Sequence, residues 1–497
     1  MKRVRTNAFF SAVEVLVNGV GMFLLVIVLY RHVGAAGIGV WSLVMAIANL
    51  VRIADLGIAP GIARFVARWG AGGETADPGR VVAAAAIVTA AAHGALALAA
   101  YLPAAWALRM LVAPDRLPAA MELLPWALVS VCLVSVSALV IAVVVGLHRS
   151  DLRSVFAVAG GVVLVGGTAL LLPVMGLLGA VLAQIGQGLV MSVGLWLMVR
   201  RVSPLVGAAR GRPEFGVVLG LVRANGVPVQ GAFLATLTIE PTTKAFLAAI
   251  GPIEAVGYFE MAHRVVQQAR SVAAAPNHAL VSAFADFDHR DKVGLRILFR
   301  RAVDLTLLIG PLVLGAAVAG APFLAQVWTG YAAPLFVAYL LLLSAGAAVG
   351  LVSLPAYSFA TGLGEHRWAF AGQVTVALLN VVLGAALGLA FGSVGTVAGL
   401  AVATAVGSLV LVAPVRRRTA VRVFEVLAGP GGAVVAAAFA GAVAGLLGYW
   451  TVQPALGTLA AGATSGLFFL LCVAVPTVRH PIFGKTVVGL RGRVYLD

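Results

Sequence analysis

The sequence predicts an all-α integral membrane protein of fourteen transmembrane helices. Two six-helix bundles, related as a parallel pseudo-repeat, are expected to surround a central cavity, with two further helices towards the C-terminus. Three observations predict this. The 497 residues are 62% apolar and only 10% charged, whereas the surface of a soluble domain normally brings charged content to about 25%. Apolar stretches of about 20 residues, the length a helix needs to cross a hydrocarbon core ~30 Å thick, recur along the whole chain. The basic residues fall in alternate gaps between those stretches, as they do when cytoplasmic loops retain Lys and Arg. A soluble enzyme is excluded.

Spans are read at residues 8–30, 38–60, 81–102, 123–146, 153–172, 177–199, 217–239, 255–284, 303–328, 332–360, 368–391, 394–414, 432–451 and 455–476. The first is too long for a cleaved signal peptide and thirteen more follow it, so it is read as helix one. The stretch 255–284 is the most polar and contains Pro276. The expected organisation is an N-terminal bundle at 1–200, a second bundle at 201–415, and helices thirteen and fourteen with a tail at 416–497.

The net charge of +16 would suggest nucleic acid in a soluble protein. Here its placement points elsewhere. All but six of the 34 lysines and arginines lie in the tails or in the regions at and beside the even-numbered gaps, such as Arg52 to Arg80 and Arg200 to Arg223. The exceptions are Arg31, Arg109, Arg116 and Lys244 in outer loops and Arg264 and Arg270 inside span eight. Both termini are therefore expected to be cytoplasmic, in an inner (plasma) membrane, with the bilayer as partner and no nucleic acid. Cys132 and Cys472 sit in apolar runs, which leaves no disulfide framework or metal-ligand spacing. No metal and no cofactor are expected.

An internal repeat is visible. GAAGIGVW at 34–41 and GPIEAVGYF at 251–259 align at an offset of 218, placing Gly39 on Gly257, Trp41 on Phe259, Asn49 on Gln267 and Arg52 on Arg270. Six helices separate the copies, so both enter the membrane in the same sense.

Charged side chains in a membrane cost from about 2.5 kcal/mol upward and normally face a cavity or a partner. Span eight concentrates them: Glu260, His263, Arg264, Gln267, Gln268, Arg270, Ser271, Asn277 and His278. At 100° per residue, Glu260, His263 or Arg264, Gln267 and Ser271 share one face, with Arg270 on its flank. Arg264 and Arg270 lie roughly 10 and 20 Å along the helix from Gly257, a stepped cationic track. The plainer readings remain open: Glu260 and Arg264 as a structural i,i+4 ion pair, Arg270 extending to the inner interface, and Arg52 pairing with Asp55. Glu14 in span one is a candidate coupling carboxylate or a helix–helix contact. Asp304 is read as interfacial, beside Arg300 and Arg301. Glu240 and Lys244 are read as a solvated pair at an outer mouth. The run Asp286 to Arg301 reads as an amphipathic helix on the inner leaflet. No GxxxxGK[ST], GxSxG, HExxH or EF-hand pattern occurs.

Gly39, Val40 and Trp41, then DLGIAPGIARFVAR at 55–68, GLHRSDL at 146–152 and VGYFEMAHRVVQQARSVAAAPNHALVSAFAD at 256–286, resemble the Wzx-like polysaccharide flippases of the multidrug/oligosaccharidyl-lipid/polysaccharide exporter superfamily. The resemblance spans nearly the whole chain. It departs at Thr243 and Lys244, where the family often carries Asp-Lys. It implies transfer of a polyprenyl-pyrophosphate-linked oligosaccharide from the inner to the outer leaflet by alternating access, driven by membrane potential or by proton exchange at Glu14. Polysaccharide polymerase and glycosyltransferases would be partners. Guanidinium groups bind phosphate bidentately and keep their charge, so Arg52, Arg264 and Arg270 are assigned to the headgroup. Gln267, Gln268, His263, Asn277 and His278 are assigned to the substrate, largely through sugar hydroxyls. The rivals are a drug or metabolite exporter of the same superfamily and a non-transporting scaffold for glycosyltransferases.

Overall fold

A computed structural model describes residues 2–55, 57–203, 206, 211–224, 226–286, 292–419, 421 and 427–481. In residues 2–13, 15–16, 150, 224, 226–229, 278–279, 282–283, 285–286 and 292 it describes the backbone alone. No strand occurs among the described residues. The chain divides into two compact units, Met1–Gly257 and Tyr258–Asp497.

The first unit opens with α1 (Lys2–Asn49), which is kinked at Gly34. A 3-10 segment (Leu50–Asp55) and a turn at Gly57 lead into α2 (Ile58–Gly70). Then come α3 (Pro78–Leu111), α4 (Leu117–Gly146), α5 (Ser150–Met175) and α6 (Leu177–Leu189). A π-turn at Val190–Gly194 joins α6 to α7 (Leu195–Val202). Two further helices, α8 (Phe215–Ala224) and α9 (Gly226–Ile250), precede α10 (Ile253–Asp286), which runs on into the second unit.

Gly34 has φ 65° and ψ −176°, a conformation essentially closed to residues with a Cβ. Gly176, between α5 and α6, adopts nearly the same one. Both fall in gaps read between spans. Span two was read to residue 60, but the chain turns at Gly57 and the residues after it form the amphipathic helix α2, inside the gap read before span three. Ile58, Ile62, Phe65 and Val66 bury one face against Val81, Val82 and Ala85 of α3 and Val140, Val143 and Val144 of α4. Arg64 and Arg68 stay exposed on the other. The apolar i, i+3, i+4 spacing is what sets the helix here, and the two arginines keep it from entering the core on that side.

Close backbone packing marks the repeat. A Cβ added to Gly39 would lie 2.1 Å from the Ile253 carbonyl oxygen, and one on Gly257 would lie 2.0 Å from that of Ala35. The 218-residue offset places Gly39 on Gly257 and Ala35 on Ile253, so these two contacts are the same contact with the partners exchanged. Small residues allow such an approach where helix association rests on van der Waals packing.

In the second unit follow α11 (Lys292–Ala319), α12 (Ala321–Thr329), α13 (Pro334–Gly350) and α14 (Ser353–Gly362), the last two bent by 47°. The long α15 (His366–Thr419) and α16 (Pro430–Val478) are kinked at Gly392 and Gly457, again with positive φ. Phe359 of α14 stacks edge-on against Phe284 and Phe299, anchoring a cluster that includes Leu295, Val303 and Leu411. Ser465 of α16 donates a 2.8 Å hydrogen bond to the Ala319 carbonyl at the end of α11. The amphipathic run expected at 286–301 is corrected in part. Residues 287–291 lie outside the described residues, and from Lys292 the chain is already α11, with Leu295 and Phe299 in the core.

Among the described residues eight helices are long and apolar enough to cross a membrane, or nine with α13 and α14 taken as one bent span. The chain is a multi-pass membrane protein. At 1.5 Å per residue the 54 residues of α15 would run roughly 80 Å if straight, far beyond a ~30 Å core, and the break at Gly392 divides them.

Candidate functional site

The polar residues of the eighth predicted span all lie on α10, whose helical repeat sorts them by environment. Glu260, next in the chain after Tyr258 and Phe259, is buried, and the Arg264 guanidinium donates to its carboxylate through Nε. Glu260 is 7% exposed and Arg264 28%, so the pair reaches from the packed side of the helix to its open side. His263 stacks on Phe259 with ring centroids 5.3 Å apart. Gln267 and Ser271 are exposed and Gln268 is half-buried. The Ser271 hydroxyl turns back to the Gln268 carbonyl at 2.8 Å.

Arg270 differs from Arg264. It is half-buried, yet no carboxylate or hydrogen-bond acceptor engages it among the described residues. A guanidinium held in a membrane helix without a counterion attracts an anion strongly, because it carries the cost of partial desolvation with no compensating pair. With Gln267, Gln268 and Ser271 beside it, the second half of α10 offers one fixed positive charge and several hydrogen-bonding groups.

Asn277 does not join this surface. It is 2% exposed and its Nδ2 donates to the Thr306 hydroxyl of α11 at 2.9 Å, tying two helices together rather than meeting a sugar. The side chain of His278 lies outside the described residues.

In the first unit Arg52 leaves the 3-10 segment at the end of α1. Its Nε and Nη2 each lie 3.2 Å from Asp55 Oδ2, and its guanidinium sits over the Phe233 ring of α9 at 5.7 Å. The Asp55 carboxylate has a second partner that the sequence reading passed over. His93 of α3, fully buried, places Nε2 2.9 Å from Asp55 Oδ1 and Nδ1 2.7 Å from the Thr89 carbonyl. A lone histidine in the apolar run AAAHGALALAA was the available signal. Glu14 accepts from Arg153 Nη2 at 2.8 Å and the Ser154 hydroxyl at 2.6 Å, a closed contact between α1 and α5.

Lys244 corrects the expectation of a solvated pair. Its side chain is 2% exposed, bound to the Glu240 carboxylate one turn earlier on α9, with Nζ 3.4 Å from the Ser42 carbonyl of α1. Glu240, 41% exposed, is the solvated end.

Among the described residues no group of three or more His, Cys, Asp or Glu is arranged to hold a metal ion. No protein-family model and no curated protein matches the sequence. Solved structures do. The lipid II flippase MurJ in an inward closed conformation superposes with a TM-score of 0.74 at 12% identity, covering 97% of this chain and 99% of its own. An inward-facing multidrug resistance MATE family transporter of the MOP superfamily gives 0.65 at 16% identity, over 82% and 94%. A MOP superfamily transporter from Pyrococcus furiosus, described by the reverse polarity of its binding pocket, gives 0.54 at 15%, over 82% and 95%. At these identities the likeness speaks for architecture: the chain has the fold of the multidrug/oligosaccharidyl-lipid/polysaccharide exporter superfamily.

Proposed function

We propose that this protein is a flippase carrying a polyprenyl-pyrophosphate-linked oligosaccharide from the inner to the outer leaflet for cell-surface polysaccharide synthesis. The observation that carries the reading is Arg270, a half-buried arginine of a membrane helix with no carboxylate engaging it among the described residues. A diphosphate would supply the missing counter-charge, bidentately. Gln267 and Gln268 lie where a glycan leaving that diphosphate would find hydrogen-bonding groups. Arg264, on the same helix, adds charge once a diphosphate competes with Glu260, and Arg52 of the first unit is a further cation, paired with Asp55. The likeness to a lipid II flippase over nearly the whole of both chains supports a lipid-linked cargo. In this reading the chain has fourteen spans, obtained by dividing the long helices at Gly34, Gly392 and Gly457 and by counting α9 and α10 as spans as well. Both termini face the cytoplasm of an inner membrane, where glycosyltransferases and a polymerase would act before and after it.

A second reading, export of a drug or metabolite, is favoured by the likeness to MATE transporters. A cationic cargo calls for an accessible carboxylate, and here Glu14, Asp55, Glu240 and Glu260 are each held by a cation. The deciding experiment is reconstitution. Proteoliposomes are loaded with a fluorescent polyprenyl diphosphate glycolipid or with a cationic dye, for wild type, Arg270→Ala and Arg270→Lys. Glycolipid translocation lost in Arg270→Ala and partly kept in Arg270→Lys supports the flippase. Dye transport that ignores both substitutions overturns it.

A further inference from the structure

Position 93 is a histidine with no solvent access, placed 15 residues into α3, roughly 22 Å from that helix's start and so well inside the bilayer. Its two contacts define its protonation. The Thr89 carbonyl can only accept, so the 2.7 Å contact requires a hydrogen on Nδ1. In the neutral ring Nε2 would then be a bare acceptor, and it lies 2.9 Å from Asp55 Oδ1, an acceptor too when ionised. Two acceptors do not approach to hydrogen-bond distance without a proton between them. The imidazole and carboxylate together therefore hold one proton more than a neutral histidine and an ionised aspartate would.

From this geometry we propose that Asp55 and His93 form a proton-binding site that sets the charge Arg52 can offer to an anion. With the proton bound, Arg52, Asp55 and His93 sum to +1, and His93 satisfies half of the Asp55 carboxylate. Once the proton leaves, the sum is zero and Asp55 loses the His93 donor while keeping Arg52. Anion binding at Arg52 and proton binding at the pair therefore favour one another, and the linkage is reciprocal. Among the described residues no charged side chain other than Arg52 contacts the pair. Facing it from α4 is the uncharged Ser135, with Glu122 about 20 Å away along that helix. Facing it from α9 is the Phe233 ring, and the Glu240–Lys244 pair begins roughly 10 Å further along. Arg64 follows nine residues after Asp55 in the chain, on the exposed face of α2. This site moves the coupling role from Glu14, closed by Arg153 and Ser154, to a pair the sequence reading did not join.

The anion half of the inference rests on the diphosphate reading above, so the test separates the two. Full-length protein in lipid nanodiscs is titrated with farnesyl diphosphate across pH 5.5–8.5, calorimetrically in two buffers of different ionisation heat, for wild type, His93→Asn, His93→Gln and Asp55→Asn. Wild type should take up protons on binding and lose affinity on the order of tenfold, relative to the variants, as pH rises. The variants should bind with no proton uptake beyond that of the probe's own titration. A His93→Asn protein, folded by size-exclusion and helical content, that keeps the wild-type proton uptake and pH profile overturns the proposal. In parallel, histidine-labelled protein without ligand is followed by NMR. The resonance lost in His93→Gln should titrate in wild type and lose its titration in Asp55→Asn, and a resonance indifferent to Asp55→Asn likewise overturns it. Wild type that ignores farnesyl diphosphate at every pH while His93 still titrates supports the proton site and refutes the diphosphate reading.

Discussion

Replacing Gly39 by alanine places one methyl group where the structure has none to spare. The new Cβ would lie 2.1 Å from the Ile253 carbonyl oxygen and 3.2 Å from the Gly257 nitrogen. Real Cβ atoms essentially never come within 3.0 Å of a neighbour, so the helices must separate by about an ångström at this crossing. Overpacking of this kind costs typically 1–3 kcal/mol, and backbone, unlike a side chain, has no rotamer in which to retreat. Alanine's better helix propensity returns at most ~1 kcal/mol. A net loss of about 1–2 kcal/mol is expected for Gly39→Ala, and the same for Gly257→Ala, whose Cβ meets the Ala35 carbonyl at 2.0 Å. The double variant should cost less than the sum, because either methyl already opens the shared contact. Gly94→Ala in α3 is the control: nothing lies within 4 Å of its added Cβ, and it should be neutral or stabilising. Thermal unfolding of detergent-solubilised protein, followed by size-exclusion, reads all four. Gly39→Ala as stable as wild type, or strict additivity in the double variant, would refute the reasoning.

Arg264→Ala strands the buried Glu260 and should lower stability by roughly 2–4 kcal/mol, less than a fully buried pair because Arg264 is 28% exposed, while Arg264→Ala with Glu260→Gln should regain most of it in the same unfolding assay. Arg270→Ala, which breaks no ion pair among the described residues, should unfold within about 1 kcal/mol of wild type while losing translocation in proteoliposomes. At the α9 pair the burial is lopsided, so Glu240→Ala, which takes the carboxylate from buried Lys244, should cost more than Lys244→Met, which leaves the 41% exposed Glu240 to water; equal losses by chemical denaturation would contradict this. Gly392→Ala forces a Cβ into φ 64°, ψ −151° and should cost about 1–3 kcal/mol by thermal unfolding although nothing crowds the site.

Much of the architecture was legible because the bilayer imposes a length on each apolar stretch and a penalty on each polar group within it. The offset of 218 residues was legible too, since glycines needed for close approach resist replacement by anything larger; the structure sets Gly39 and Gly257 on the partner's backbone. What the sequence could not convey was pairing over distance. Asp55 was visible as a neighbour of Arg52 at i+3, but His93 meets it across 38 residues through the packing of α3 on the 3-10 segment. Sequence spacing did separate Arg264 from Arg270: Arg264 stands four residues from Glu260 and pairs with it, whereas no carboxylate engages Arg270 among the described residues. Lys244 misled because a charge near a helix end normally reaches water, whereas here it finds Glu240 and the Ser42 carbonyl first. The helix α2 was hidden by its two arginines, which read as loop charges until its apolar face was seen packed on α3 and α4.

The crossing of α1 over the start of α10 has a mechanical meaning as well as an energetic one. Each carbonyl oxygen, of Ile253 and of Ala35, is seated in the notch left by a missing side chain on the other helix. Sliding either helix along its axis would drive an oxygen into the next residue's Cβ, whereas tilting about the contact disturbs few atoms. The paired notches thus set the register of the two segments along their axes.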